Sequence, residues 1–590
     1  MIVSVAFPEQ RTLRPRPRTA ESGFWQKLPA GSVYSSLQHP IETAAGPMIV
    51  LDTTRAANLI ELARKKFDPE LPEQELQVLR DSASAGAPVW PKADAPRPPI
   101  RPEFVRWLVT DSEAADQIDA NGLRAYGVTI AGPLNMDNCR ILVPMQLNRC
   151  TVEGYVSFVD AQTGSVFFTG CRVKEGFSAW RMDGEGALFL DGSTFNAAVK
   201  LMSARIKSTF SCHGAQILVK KGDALDATGA VFEGGISLTS GFYATGGIDF
   251  LDAKITGILD CTGAKLYPEE GDALTLTGAT ISGSVYLSNG FEATGAVKLQ
   301  GSEIGGTLTF MGASVAWVLC INMRVSSEMV WLGVANTSST NLNLTGASVK
   351  TIRDDRDSWP AEQNLTLAGF TYGDLILHKA PNPEEIKNGW FPDELMLDAD
   401  TRVDWLLRQS PQDRLQPQPW MNLSAYLKAR GDGAGAKRIV YRLRCVQATE
   451  KKTSRLRRAL AIRFAWLEEV PLRILYSISV TLLLGLAVFG YAGARGAIAP
   501  TSAEAYSAFL AGKSMPAAYP SFNPLAYTLD NAVPLVKLGQ DGKWAPDHSF
   551  PSRDPLTNYW VLVWLRWGII LFGWFQATVL AAALSGRFKQ

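Results

Sequence analysis

Between Ile130 and Leu375 the apolar residues fall in short alternating triplets, such as Ile236-Ser237-Leu238, Val285-Tyr286-Leu287 and Leu308-Thr309-Phe310. Each triplet points every second side chain to one face, as a strand does. The last apolar residue of successive triplets recurs every 10 to 12 residues, or at a doubled step, from Phe158, Phe168, Leu190 and Leu201 onward to Leu332 and Leu344. Two wider gaps hold polar insertions, Lys220-Lys221-Gly222-Asp223 and Pro268-Glu269-Glu270-Gly271-Asp272. No triplet is large enough to bury its own face, so the repeat predicts a solenoid in which neighbouring coils bury one another. Two steps make a coil of about 22 to 23 residues. The predicted fold is therefore mainly β, a right-handed parallel β-helix over 121–378. A β-sandwich would not hold one register through so many strands.

Gly229-Ala230, Gly263-Ala264, Gly278-Ala279, Gly312-Ala313 and Gly346-Ala347 recur between triplets. A corner needs such a pair, because Gly takes positive φ freely and Ala fits the inside of a bend. The charged run Lys350–Asn364 predicts an insertion near the end of the solenoid, before final strands at Leu365-Thr366-Leu367 and Leu375-Ile376-Leu377.

The flanks have other textures. Residues 1–50 carry Arg14-Pro15-Arg16-Pro17-Arg18 and scattered Gly, Pro and Ser, which predicts a poorly ordered start. Over 51–120, Leu59, Ile60, Leu62, Ala63 and Phe67, then Leu76 and Leu79, then Phe104, Val105, Trp107 and Leu108 have helical spacing. These helices are expected to cap the first coil, whose strand edges would otherwise invite aggregation. Over 379–465 a helical connector is expected, with a hairpin that turns at Gly431-Asp432-Gly433.

From Lys437 to Arg473 positive residues crowd together, and Ile474–Ala494 then runs without a charge for long enough to cross a bilayer. Basic followed by apolar predicts that the solenoid and both termini are cytoplasmic, with the spans in the cell membrane. Lys451, Lys452, Arg455, Arg457 and Arg458 are expected to rest on anionic headgroups, at roughly 1 kcal/mol per well-placed cation. A second span is predicted at Tyr559–Leu584, with Trp560, Trp564 and Trp567 as interfacial anchors, and Arg566 is expected to snorkel outward past them. Together 466–590 form a two-span membrane domain with an external loop over 495–558.

Within that loop Asn523 can cap a helix that begins at Pro524 and stops or kinks at Pro534. One expectation is an interfacial helix lying on the outer surface. The other is a re-entrant pore helix followed by a filter-like Val536-Lys537-Leu538-Gly539, in which Asn523, Tyr527, Asp530, Lys537 and Gln540 are the candidate pore or interfacial residues.

The net charge of +1 gives no support for a nucleic-acid binder. Seven cysteines include no CxxC pair and are expected to be free core thiols in a reducing cytoplasm. The opening residues Met1 to Phe7 are too short and uncharged for a signal peptide. The four histidines, His39, His213, His378 and His548, show no metal-ligand spacing, so no metal or cofactor is expected. Asp226 and Asp249 stand one coil apart, as carboxylates do in β-helix hydrolases. Their next equivalents, however, are Thr275 and Lys298, which predicts a solvated outer row. These residues predict a binding or scaffold module, oligomeric through its spans and with a cytoplasmic protein partner; an ion channel is the alternative.

Several stretches carry a resemblance: the solenoid with its Gly-Ala corners, the PxxYxxLAxxYRxxG-like run from Gln418 to Gly431, the segment FNPLAYTLDNAVPLVKLGQDGKWAP, and the closing Gly573-Trp574-Phe575-Gln576-Ala577-Thr578. Together they look like bacterial two-span membrane proteins with a pentapeptide-like cytoplasmic solenoid. Such proteins are often labelled membrane-associated oxidoreductases, so the resemblance implies that activity. It assigns no site residue.

Overall fold

A computed structural model describes residues 53–67, 69–86, 99–450, 471–534, 536–551 and 554–588. The basic residues Lys451, Lys452, Arg455, Arg457 and Arg458 and the start over 1–50 lie outside the described residues.

The central part is a parallel β-solenoid of about 11 turns. Each regular coil contributes four short strands, which stack in columns on their counterparts one coil away. One column runs Val166, Leu188, Phe210, Ile236, Leu259, Val285, Leu308 and Met329, every step in parallel register. The strands are mostly two residues long because the chain must turn four times in one coil. The triplet-ending residues Phe158, Phe168, Leu190, Leu238, Phe250 and Leu276 all point inside and are at most 1% exposed. At about 1.5–3 kcal/mol for each fully buried large apolar side chain, this stack supplies the main drive for folding.

Corners keep the rhythm. Gly229, Gly263, Gly278, Gly312 and Gly346 all take positive φ, between 64° and 71°, and the alanine after each is fully buried. The same corner conformation occurs where no glycine marks it, at Asn138, Arg149, Asp160, Arg181, Ser203, Asp252 and Asn322. The residue after the corner bonds back three positions, as Ala161 N to Phe158 O (3.1 Å) and Ala253 N to Phe250 O (3.1 Å). This is a β-turn with its third residue in the left-handed region, which Asn and Asp tolerate better than other side chains. Cys150 and Cys171 occupy the buried position after a corner, whereas Cys212, Cys261 and Cys320 lie on strand columns. All seven cysteines are free.

Helices Thr53–Lys66, Glu73–Ser82 and Pro102–Thr110 bury Leu59, Ala63, Leu79, Phe104 and Leu108 against the start of the solenoid. Ile100 adds a parallel bridge to Ile130, and the Arg124 guanidinium donates to the carbonyls of Asp81, Ser84 and Gly86 at the end of the second helix.

The far end is closed by the helical hairpin Pro417–Ala429 and Gly433–Glu450, which turns at Gly431 (φ 89°). Gln418, Asn422, Tyr426 and Arg430 stand four residues apart, hence on one helix face. All four dock on the last coil. Gln418 accepts from Gly369 N (2.9 Å), Asn422 donates to Phe370 O (2.9 Å), and Tyr426 and Arg430 donate to Asp374 (2.6 and 2.9 Å). The run that carried the resemblance therefore acts as a clamp on the solenoid.

Lys350–Asn364 is not simply a charged insertion. Its first half belongs to the strand Ser348–Asp355, and two of its charges, Asp354 and Asp355, turn inward. Arg402 Nη1 and Nη2 donate to Asp354 at 2.6 and 2.7 Å, Trp359 Nε1 donates to the same carboxylate at 3.0 Å, and Arg402 and Asp354 are 0% and 2% exposed. A charge run in the sequence signals solvent only when no partner waits elsewhere in the chain. Here the partner is 48 residues downstream.

Helices Pro471–Ala494 and Tyr559–Phe588 contain the two segments, Ile474–Ala494 and Tyr559–Ala581, that are long and apolar enough to cross a membrane.

Candidate functional site

Four of the five residues singled out between the two long helices, Asn523, Tyr527, Asp530 and Gln540, come together around the loop helix Pro524–Ala532. Asn523 caps it, accepting from Leu525 N (3.0 Å) and Ala526 N (3.1 Å), and Pro524 takes the first position. The helix does not lie across the ends of the long helices but runs down between them. Glycines let it in. A Cβ at Gly493 would overlap the Phe522 ring, one at Gly485 the Thr528 methyl, and one at Gly573 the Ala532 carbonyl. Gly573 lies about 21 Å along the second helix from Tyr559, at 1.5 Å per residue.

Below the helix the chain turns back, and Asp530 holds that turn. Its carboxylate accepts from the backbone N–H groups of Leu538, Gln540 (2.5 Å) and Asp541 (3.1 Å), and its side chain is buried. Charge-assisted bonds from three amides hold the carboxylate in place. Gln540 ties the turn to the start of the loop helix, accepting from Asn523 N (3.2 Å) and donating to Ser521 O (3.1 Å). Tyr527 is fully buried against Phe489 and Phe522. Lys537 stands apart from this group. It is exposed and pairs with Asp541 at 2.9 Å.

Arg566 does not snorkel outward. It turns into the loop, where Nε donates to Asn531 Oδ1 (2.8 Å), Nη2 donates to Asp541 O (2.9 Å) and the guanidinium lies over the Tyr527 ring. Polar partners within hydrogen-bond reach on the folded loop decide its direction. Gln576 makes a second polar link, donating from Nε2 to Ser477 Oγ (2.9 Å) and Thr481 Oγ1 (3.1 Å) on the first long helix. Sequence reasoning alone does not single out Asn531, Gly573 or Gln576. Gly573 and Gln576 lay in plain view in the closing motif, but a motif does not say which residue faces which.

On the solenoid the Asp226 row has the predicted register, Lys200, Asp226, Asp249, Thr275 and Lys298 being successive partners. Asp226 and Asp249 each accept from the backbone N–H two residues on, at 3.1 and 2.7 Å, so they brace corners. Partial burial, and then neighbouring carboxylates, hold the Asp249 pKa above its ordinary value. The two polar insertions stand two coils apart and border one small open cleft, lined between them by Thr245. Asp432, in the glycine-rich turn, accepts from Gly435 N (2.7 Å) and so caps the second helix of the hairpin. Among the described residues no group of three or more His, Cys, Asp or Glu side chains could hold a metal ion. No protein-family model, curated protein or solved structure matches the chain.

Proposed function

We propose that the chain is a membrane-anchored binding and scaffold module, with the solenoid in the cytoplasm of a bacterium and the two long helices crossing the inner membrane. The observation that carries the anchor is exposure. Only 33% and 22% of the most apolar windows of the two helices is buried within the chain, far less than a core helix of a water-soluble protein requires. Leu483, Leu571 and Trp564 are each at least 66% exposed. The solenoid, closed at both ends by its own helices, offers only its flanks to a partner.

Topology is tested with Thr280→Cys in a chain whose partly exposed Cys139 and Cys445 are changed to Ser, which places the one accessible described thiol on an exposed strand position, the native Cys261 being buried. Labelling by a membrane-impermeant maleimide only after the cells are opened supports the reading. Labelling of intact spheroplasts overturns it. For the scaffold, a photo-crosslinking residue at Trp180, on the exposed flank, is expected to give one discrete adduct in cells. The absence of any adduct along the flank argues against a partner there.

Ion conduction is a second reading, favoured by the descent of the loop helix between the long helices. Flux through reconstituted liposomes that changes with Asp530→Asn would replace the scaffold by a channel. The oxidoreductase label requires stoichiometric binding of a flavin or nicotinamide nucleotide by the purified chain, which spectroscopy decides directly.

A further inference from the structure

Of the seven cysteines, only one pair stands at the same position in successive coils. Cys150 follows the corner at Arg149, and Cys171 follows the corner at Gly170. The strands on either side keep the two coils in parallel register, with Asn148 beside Thr169 before the corner and Thr151 beside Arg172 after it. Cys212 and Cys261 share a column too, but Leu238 comes between them, since Cys212 N bonds to Ser237 O and Leu238 N to Asp260 O.

The two thiols are matched in direction as well as in height. Cys150 Sγ donates to Ala125 O at 3.3 Å and Cys171 Sγ to Leu147 O at 3.1 Å, and Ala125 and Leu147 are themselves register partners. Successive coils lie about 4.8 Å apart, within the range of about 4.4–6.8 Å that a disulfide spans between Cα atoms. Only weak S–H···O bonds hold the sulfurs away from each other, and rotation about Cα–Cβ releases them. Both side chains are buried, but Arg149 and Gly170 are exposed, so the surface is one residue away. The neighbouring Cys171 thiol favours the Cys150 thiolate and holds its pKa below the ordinary value, although burial opposes this. Cys150 and burial push Cys171 up. The pair therefore gives up one proton readily and holds the second.

We propose that Cys150 and Cys171 form a site of reversible oxidation, closing into a disulfide between successive coils when a peroxide reaches them. The Cys150 thiolate attacks one peroxide oxygen and the O–O bond breaks. The other oxygen leaves as hydroxide, which takes up the proton that Cys150 released, and Cys150 becomes a sulfenic acid. The Cys171 sulfur then attacks the Cys150 sulfur, the S–S bond forms, and the S–O bond breaks. Its hydroxyl leaves with the Cys171 proton as a second water. The thiols lose two electrons and the peroxide gains them. Cys150 bonds to the strand Leu123–Tyr126, which the N-terminal helices hold through Arg124, so the new bond fastens the capped end of the solenoid.

The full chain, purified in detergent, is treated with hydrogen peroxide, the peroxide is removed with catalase, and free thiols are alkylated after unfolding. Trypsin cuts after Arg149 and Arg172, so both sulfurs fall in the single peptide 150–172. That peptide is expected to become two hydrogens lighter and to lose both alkylation sites, and dithiothreitol is expected to restore them. In Cys171→Ser the reaction stops after its first step, and dimedone is expected to add to Cys150. Cys212, Cys261 and Cys320 are the comparison and are expected to stay fully alkylated. A peptide that keeps both sites, or dimedone that finds no sulfenic acid at Cys150, overturns the proposal. So does equal oxidation of the three comparison thiols, because peroxide would then be acting only on an opened chain.

Discussion

Asp354 and Arg402 meet through two hydrogen bonds, at 2.6 and 2.7 Å, in a space that water does not reach. The pair joins the strand Ser348–Asp355 to the helix Ala399–Leu406, and the guanidinium lies over the rings of Trp359 and Trp405. Removing one member leaves the other charged and buried. Arg402→Met is therefore expected to destabilise the chain by about 3–5 kcal/mol, and the double change with Asp354→Leu to recover only part of that loss, because the buried Trp359 N–H then loses its acceptor. Thermal unfolding of the detergent-solubilised full chain measures both. A double variant no better than the single one would show that the pair contributes more than it costs to bury.

The Asp530 turn predicts a local effect. Asp530→Asn keeps the shape but replaces one of the two accepting oxygens by an NH2 donor, so at least one of the three backbone N–H groups loses its acceptor and the rest keep only a neutral one, a loss of about 1.5–3 kcal/mol or more where the bonds are buried. Hydrogen exchange at Leu538, Gln540 and Asp541 is expected to accelerate, with the solenoid amides unchanged.

Gly573→Leu would drive a side chain into the Ala532 carbonyl, so the loop helix must shift. Trypsin cleavage after Lys537 and Lys543 is the readout and is expected to quicken in the variant. Gly568→Leu, where an added side chain meets nothing within 4 Å of its Cβ, is the control and leaves those sites as slow as before.

Thiol chemistry should follow the columns. Burial pushes the Cys212, Cys261 and Cys320 thiols well above their ordinary pKa, so few are ionised near neutral pH. A water-soluble disulfide reagent at pH 8 is expected to modify the partly exposed Cys139 and Cys445 first. The three buried thiols react only on unfolding.

Tyr267 offers a pH test. Its hydroxyl donates to Glu292, which with some desolvation pushes the phenol up to about 12 and holds the Glu292 carboxyl below its usual range. Each shift has its own sign. The bond favours the folded state while Glu292 is ionised and Tyr267 is not, so its contribution fades below the carboxylate range and again as pH rises through about 12. Ultraviolet titration of the chain against Tyr267→Phe isolates this phenol. With Glu292→Gln the phenol is expected to titrate nearer its ordinary value.

The repeat was legible because its signal is redundant, each inward Leu or Phe being confirmed by another one coil on. Corners at Gly-Ala were legible for the same reason. Those at Asn138, Asp160, Arg181 and Ser203 were not, because polar side chains at a turn look like any loop. The capped loop helix could be placed from Asn523 and Pro524, whereas its path depended on Gly485 and Gly573, residues 88 positions apart whose shared role exists only in three dimensions. Arg566 went the wrong way for a related reason. Its position beside tryptophans was visible, but Asn531 and the Asp541 carbonyl come within reach only after the loop folds inward.

Every coil hands the next the same set of edges, and the left-handed corners recur at nearly fixed intervals on both sides. The columns therefore behave as a graduated ruler, with one mark about every 4.8 Å. Excising residues 171–192, one whole period between the corners at Gly170 and Gly192, should close without a new seam and shorten the span between the terminal clamps by a single mark. Distance, on this scaffold, is quantised.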